Sequence, residues 1–374
     1  MIDNTARVAR LELAAGRRIA VISDIHGNLP WFEALLGQIG FSEGRDELIL
    51  DGDLLEKGPQ SLAMLRRAMA MEARGHVHAV CGNCDDWFNI FREGCTAEDD
   101  RHFLAYIRAR RCGLLWDMCR ELGLDPMALA DFTAVKPRLL EAFPAEWAYL
   151  KTLPHALEAD HFLFAHAGVT PGKPLREHTR QELNRVDRFL DHAAPGEKWV
   201  IVGHYPVVLY GEERVCANPI IDRDKRVVSI DGGCVLKDDG QLNALLIPGQ
   251  DSEDFSFAAY DPFPERTVLR DQAGSAHSYY IRWGDNRVQV LSRGTEFSRC
   301  RHLRTGYEME VLTKYLFTDE PVTAVNDCSD YVLPLRAGER VRVIEETSRG
   351  YYVKHRGTSG WYFGELDQSV EEAL

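Results

Sequence analysis

No run of apolar residues in this chain approaches the ~20 that a membrane helix needs. The first such run, Ile19–Ile22, is short and follows Arg17 and Arg18, so it does not read as a secretory leader either. An even, regularly spaced set of cysteines is also missing. The nine present are scattered through 374 residues, which points to reduced thiols rather than a disulfide framework. Positive charge is in deficit: 44 Lys and Arg stand against 58 Asp and Glu, for a net charge of -14. That balance excludes a non-specific grip on a nucleic-acid backbone, which relies on Lys and Arg. It does not exclude a phosphorylated substrate, because bound cations can invert the local field. Internal repeats and low-complexity tracts are absent as well. A cytoplasmic globular protein is expected, with no membrane partner.

The length suits one large domain and a smaller one. From residue 18 to about 248, short β-branched runs alternate with helical patterns. The runs are Arg18–Ser23, Glu47–Leu50, His76–Cys81, His161–Ala165, Lys198–Val202, Val227–Ile230 and Leu242–Ile247. Their continuous apolar character predicts strands buried on both faces of a layered α/β fold. One helix is predicted from Pro30 to near Gly40, and another from about Gln60 to Arg74. Between 86 and 157, helical spacing in Phe103–Arg110, Leu114–Leu122 and Val135–Leu150 predicts a helical insertion. It either shapes substrate access or only covers the core. The stretch Pro248–Ala276 reads as irregular. Beyond it, Tyr279–Trp283 and Val288–Leu291 flank Gly284-Asp285, a hairpin signal. From Asp330, four short runs separated by Gly338, Gly350 and Gly357 predict a small β barrel.

Five polar motifs follow five of the predicted strands: Asp24-Ile25-His26, Asp51-Gly52-Asp53, Gly82-Asn83-Cys84-Asp85, His166-Ala167-Gly168 and Gly203-His204. In layered α/β folds, ligands bind outside the carboxyl ends of strands. Carboxylate, imidazole and amide oxygen form a mixed hard and borderline set that suits Mn, Fe or Zn better than Ca or Mg. Two such ions can clamp the attacking and leaving oxygens of a displacement at phosphorus. Asp53 is the natural bridge, since a carboxylate can offer one oxygen to each ion.

The sequence resembles the calcineurin-like metallophosphoesterases, closest to the branch with bacterial serine/threonine protein phosphatases and symmetrical diadenosine tetraphosphatases. The motifs that carry this are Ser23-Asp24-Ile25-His26-Gly27-Asn28, Gly52-Asp53-Leu54-Leu55-Glu56-Lys57-Gly58-Pro59, Gly82-Asn83-Cys84-Asp85, Phe164-Ala165-His166-Ala167-Gly168 and Val202-Gly203-His204, with Ile230-Asp231-Gly232-Gly233-Cys234 further on. The resemblance implies a layered β-sandwich flanked by helices. It implies Asp24 and His26 on a first metal, Asp53 bridging, and Asn83, His166 and His204 on a second, with manganese the first choice and Fe or Zn the others. A bridging hydroxide would attack phosphorus, phosphoprotein-phosphatase style, with Lys57 and an arginine (Arg180, Arg185 or Arg188) holding phosphate. Many members carry a further His where this chain has Pro206.

The pattern breaks in two places. The family's His after Gly-Asn, thought to protonate the leaving group, is Cys84 here, and its partner Asp is Glu56. Glu56, Cys84 and Asp85 are therefore the candidate catalytic side chains. Loss of that His favours phosphodiester or dinucleoside polyphosphate substrates, whose leaving groups need no acid. Cys81 and Cys84 also admit a redox or structural-zinc reading. The last forty residues, with Gly350-Tyr351-Tyr352 and Gly360-Trp361-Tyr362, resemble bacterial SH3-like domains, which implies a peptide or protein partner. Trp361 and Tyr362 then read as a groove lining or as a core pair. The expected organisation is a metallophosphoesterase domain over 1–276, a connecting segment over 277–329 and an SH3-like module over 330–374. The rival reading is a catalytically weak binding protein that recruits a partner through that module.

Overall fold

A computed structural model of the chain describes residues 4–94 and 96–367. Residues 1–3 of the expected first domain and 368–374 of the expected last module lie outside these. The chain divides into two compact units. The first comprises Met1–Pro206, Pro219–Leu236 and Gly240–Asp261; the second comprises Val207–Asn218, Lys237–Asp239 and Pro262–Leu374.

In the first unit the strands are β1 (Val8–Arg10), β2 (Arg18–Ile22), β3 (Asp46–Asp51), β4 (Val77–Val80), β5 (Ala156–Glu158), β6 (Phe162–Phe164) and β7 (Trp199–Val202). After β8 (Val215–Cys216), which belongs to the second unit, come β9 (Ile220–Asp222), β10 (Val227–Ser229), β11 (Leu242–Ile247) and β12 (Ser256–Tyr260). They form two sheets, of order β12-β11-β2-β3-β4 and β1-β5-β6-β7-β10-β9. Strands β2, β3 and β4 are parallel, as are β6, β7 and β10. Strand β3 is buried at every position, which is why its sequence runs apolar instead of alternating.

The period of two divides each strand between two cores. Ile19, Val21, Ile49 and Val80 of one sheet pack with Phe162, Phe164, Trp199, Ile201 and Val228 of the other. Ala20, Ile22, Leu48, Leu50 and Ala79 face helices α1 (Leu29–Gln38) and α2 (Ser61–Glu72) on the outer side. The predicted β-sandwich flanked by helices is therefore present.

Between β4 and β5 the chain forms α3 (Asn83–Gly94), α4 (Ala97–Arg110), α5 (Leu114–Glu121), α6 (Lys136–Ala142) and α7 (Pro144–Thr152). The first of these was not predicted. Its Phe88 and Phe91, with Phe103, Phe132 and Trp147, join the outer core. The single helix read over Val135–Leu150 is two, because Pro144 starts a new one at its first position. Short helices α8 (Arg180–Asn184) and α9 (Phe189–His192) follow β6. No helix among the described residues is long and apolar enough to cross a membrane.

The second unit is built of β structure and short turns among its described residues. Its strands are β8, β13 (Glu265–Thr267), β14 (Tyr280–Ile281), β15 (Arg287–Ser292), β16 (Phe297–His302), β17 (Glu308–Leu312), β18 (Val322–Ala324), β19 (Cys328–Ser329), β20 (Arg340–Thr347), β21 (Gly350–His355) and β22 (Thr358–Tyr362). The stretch 277–329, read as a connector, carries a four-stranded sheet of order β17-β16-β15-β18 with its own core of Val288, Cys300, Met309 and Val311. The hairpin expected around Gly284 is reduced to one antiparallel bridge, Arg282 with Asp285, and its flanking strands do not pair with each other. Asp285 N–H donates to the Arg282 carbonyl across a turn, but β14 pairs with β19 and β15 pairs with β16 and β18. The C-terminal runs form an antiparallel sheet of order β13-β20-β21-β22-β8.

Tyr362 lies in the core of that sheet, while its neighbour Trp361 is half-buried and stacks on the exposed Phe363 with centroids 6.0 Å apart. The Tyr362 hydroxyl donates toward the Arg270 and Glu365 carbonyls, 2.9 and 3.0 Å away. Tyr362→Phe keeps the ring and strands those acceptors, so it should destabilise the protein by about 1–3 kcal/mol. Urea unfolding checks this, and an unchanged midpoint would show that water satisfies the carbonyls instead.

Candidate metal centre

The parallel strands of the two sheets deliver the polar motifs to one place, since each motif begins where a strand stops. Backbone hydrogen bonds then stitch the loops together. Asp24 N–H donates to Gly52 O (3.0 Å), His26 N–H to Asp53 O (2.9 Å), and Gly203 N–H to His166 O (2.8 Å). Side chains add to this: His204 N–H donates to Asp24 Oδ2 (3.0 Å) and Cys84 N–H to Asp53 Oδ1 (2.8 Å). Gly82 has no alternative, because a Cβ there would run into the Asp53 amide and carboxylate.

Asp24, Asp53 and His166 place one ligand atom each within 4.8 Å of one another, and His26, Asp53 and Cys84 do the same. The imidazoles are held in the form a metal needs. His166 Nδ1 lies 2.9 Å from the Asp51 carbonyl and His26 Nδ1 3.3 Å from the Leu55 carbonyl. A carbonyl accepts only, so each Nδ1 carries the proton and each Nε2 presents a lone pair. His166 Nε2 faces Asp53 Oδ1 and Asn83 Oδ1, each at 3.3 Å. His26 Nε2 stands 3.9 Å from both Asp24 Oδ1 and Asp53 Oδ2. Burial, then Lys57, pushes the His26 pKa down to about 3, and burial, then His166, pushes His204 down to about 4. Both rings are therefore neutral at physiological pH.

The carboxylates fit cations on independent grounds. Asp24 Oδ1 and His26 Nε2 are buried without a hydrogen-bond partner, an arrangement that costs free energy unless something fills it. Burial, with Asp231 and Asp53 beside it, raises Asp24 well above the usual carboxylate range. Asp53 is held below that range: burial raises it, but His166, His26 and Lys57 outweigh burial. Burial would lower the Lys57 pKa, yet Cys84, Asp53, Asp24 and Asp231 together raise it. The site carries more negative charge than its side chains neutralise.

The predicted ligands Asp24, His26, Asp53, Asn83, His166 and His204 thus come together, with Cys84 and Lys57 beside them. Asp85 has a different task from the catalytic one expected. It is fully buried and its carboxylate accepts the N–H groups of Gly82 (2.9 Å), Leu55 (3.2 Å) and Leu54 (3.3 Å), joining the second ligand loop to the third. Glu56 turns toward the helical insertion. Its Oε1 accepts from Leu114 N–H (2.7 Å) at the start of α5, and burial pushes its pKa up to about 7. Among the arginines, Arg185 is exposed. Arg188 binds Asp191 at 2.5 Å and lies over the ring of Tyr205, next to His204. Arg180 is buried against Asp86 at 3.1 Å.

Two neighbours were given no role by the sequence, although Asp231 stands in the Ile230–Cys234 motif. Asp231 follows β10, whose Ser229 is in register with Val202 of β7, so it reaches the site as Gly203-His204 does. It is fully buried, with Oδ1 accepting from Gly233 N–H (2.8 Å) and Oδ2 unpartnered. Its position after a strand was the available signal. Tyr106 of α4 had none, because only the folded insertion brings it near Glu56 and Cys84.

The redox reading of Cys81 and Cys84 fails. Both are free thiols whose pKa burial raises well above the ordinary value, the opposite of a reactive thiolate. Cys81, Asp86 and His155 also cluster within ligand distance of one another.

The calcineurin-like phosphoesterase sequence profile matches residues 17–230. A symmetrical bis(5'-nucleosyl)-tetraphosphatase of Hamiltonella defensa is 40% identical over 105 residues, 28% of this chain and 38% of that protein. This chain therefore spans well under half the length of that relative. The symmetrical enzyme of Chromohalobacter salexigens is 47% identical over 178 residues, 45% of this chain and 62% of its own length. An asymmetrical bis(5'-nucleosyl)-tetraphosphatase of Oceanobacillus iheyensis is 22% identical over 281 residues, 66% of this chain and 94% of the relative.

If Asp85 sets the ligand loops, Asp85→Ala should weaken metal binding about 10–100-fold with the ligands intact. Calorimetric titration with Mn²⁺ reads this directly. Unchanged affinity would mean that Asp53 and the backbone bonds hold the loops alone.

Proposed function

The chain belongs to the calcineurin-like phosphoesterase family, and on that premise we propose that it hydrolyses phosphate esters or anhydrides with two divalent cations. The observation that carries this is the cluster of Asp24, Asp53 and His166, extended by His26, in which Asp24 Oδ1 and His26 Nε2 are buried without a hydrogen-bond partner. Asp24, His26 and Asp53 would hold one cation; Asp53, Asn83, His166 and His204 would hold the other. Manganese fits the mixed donor set, with Fe or Zn as alternatives. Bound there, the cations would supply Lewis-acid polarisation of the phosphoryl oxygens and lower the pKa of water.

The protein's own groups do the rest. Carbonyl acceptors fix the His166 and His26 tautomers. Asp85 keeps Asp53 and Asn83 in register. The Lys57 ammonium, set among Asp24, Asp53 and Asp231, offers a point charge to a phosphoryl oxygen. Arg188, resting on Tyr205 beside His204, is the arginine best placed to assist.

For substrate we infer a dinucleoside polyphosphate. The relatives named above carry that activity in their names, and a nucleotide phosphate departs without an acid, which suits Cys84. A phosphoprotein substrate is the second reading. It gains support from the antiparallel sheet of the second unit, which we read as an SH3-like module whose Trp361–Phe363 pair meets an extended peptide. The buried, free thiols of Cys81, Cys84, Cys119 and Cys234 suit a reducing compartment such as the cytoplasm.

Mn-loaded protein should cleave bis(5'-adenosyl) tetraphosphate, and Asp53→Asn should cut kcat by at least about 100-fold by removing the bridging charge. Chromatography of the products separates two ADP from ATP plus AMP. Turnover of a phosphopeptide without turnover of the dinucleotide would replace the first substrate class with the second.

A further inference from the structure

His26, Asp53 and Cys84 each place a ligand atom within 4.8 Å of the other two. His26 Nε2 is fully buried, has no hydrogen-bond partner and stands 3.9 Å from Asp53 Oδ2. Ligand atoms that share one cation in a tetrahedral shell lie about 3.3–3.8 Å apart, given bonds of ~2.0–2.3 Å, so this set is a small side-chain adjustment away from a shared cation. Its third member is sulfur. Cys84 is buried and takes the second position of α3, where the start of a helix favours negative charge. Its backbone N–H donates to Asp53 Oδ1 at 2.8 Å, which ties it to the carboxylate in its own cluster. Asn83 Nδ2 donates to Cys84 Sγ at 3.4 Å, while Asn83 Oδ1 faces His166 Nε2 at 3.3 Å. The amide therefore meets the sulfur as an acceptor and turns its oxygen to the other side of the site. The Cys81 cluster differs, because the Arg180 guanidinium stands 3.1 Å from its Asp86 carboxylate.

We infer that Cys84 Sγ is a ligand of the cation held by His26 and Asp53, and that this position takes zinc or ferrous iron in preference to manganese. The inference rests on the phosphoesterase reading and narrows the metal at one of its two positions. Thiolate is a soft donor that favours zinc and iron, whereas carboxylate and water suit manganese. The ligation step balances. The S–H bond breaks, the sulfur's electron pair bonds to the cation, and the proton leaves to solvent, since a coordinating thiol is deprotonated outright. A thiolate held in this way has no proton to give a leaving group. That agrees with a nucleotide phosphate, which departs without an acid.

Cobalt(II) reads the assignment on the full chain, because a bound thiolate gives a near-ultraviolet charge-transfer band that nitrogen and oxygen ligands do not. Metal-free wild type titrated with Co²⁺ should develop this band. Cys81→Ser should keep it, and Cys84→Ser should lose it while still binding cobalt. In competition between Zn²⁺ and Mn²⁺, Cys84→Ser should lose at least about 10-fold of the wild type's zinc preference, the loss that even an outer partner of a ligand brings. Thermal midpoints of the metal-free proteins show that the fold is kept, and Cys84→Ala repeats the test with a smaller side chain. A cobalt-loaded wild type without the band overturns the inference, whatever the variants do. So does a band that survives Cys84→Ser or disappears in Cys81→Ser, or a zinc preference equal in wild type and Cys84→Ser. In each of these cases the bound metal leaves the phosphoesterase reading standing. Failure of the wild type to bind cobalt, zinc or manganese would overturn that reading itself, and this inference with it.

Discussion

Asp24, Asp53, Asp85 and Asp231 are each at most 1% exposed, and Asp53 feels the charge of the other three. Burying several carboxylates side by side is costly, since desolvation and mutual repulsion both penalise the charged form. The rest of the site can be read as the means of bearing that cost. Asp85 takes three backbone N–H groups. Asp24 takes the amide of His204 and Asp53 that of Cys84. Lys57 supplies the cationic side chain among them. What the protein leaves unbalanced, it leaves on the atoms that face a common centre.

The same constraint shapes the backbone. Asp24, His26, Asp53 and His204 all have φ between 51° and 65°, a left-handed conformation that side chains with a Cβ seldom adopt. Each follows a strand within a few residues, so the chain must reverse abruptly to aim a side chain back across the strand end. Such strain persists only where the surroundings over-determine it. Here the inter-loop bonds from Asp24 to Gly52, from His26 to Asp53 and from Gly203 to His166 do so. A preformed ligand cage costs stability locally and keeps its donors in place.

Much of this was legible in the chain. The seven apolar runs became seven strands, with ends displaced by at most a residue or two, because strands buried on both faces have no other pattern to show. Ligand residues after strands were visible for the same reason. What depended on tertiary contact was not. Helix α3 begins at Asn83, within a motif that reads as a loop. The turn at Gly284 looks like a hairpin, yet its flanking strands find partners elsewhere, since turn chemistry sets a local reversal and not which strand pairs with which. Glu56 looked like a group aimed at substrate. Only the folded insertion shows that Leu114 claims one of its oxygens.

The cluster of Cys81, Asp86 and His155 shows why ligand types at ligand distance are insufficient. There His155 Nδ1 accepts the Arg7 N–H at 3.0 Å, so in the neutral ring the proton must sit on Nε2. That nitrogen faces Asp86 Oδ1 at 3.7 Å and has no lone pair to offer. The Arg180 guanidinium stands 3.1 Å from the same oxygen and would repel a cation. In the main site the partners are reversed. His166 and His26 meet carbonyl oxygens at Nδ1, so the proton is drawn to the far side of the ring and Nε2 is freed. Residue types and spacing are alike in the two clusters, and the difference lies in whether the outer partner of the imidazole is an acceptor or a donor. By that criterion the strand-end site presents imidazole lone pairs that a cation could take, and the Cys81 cluster is a buried ion pair that anchors α3 and α8.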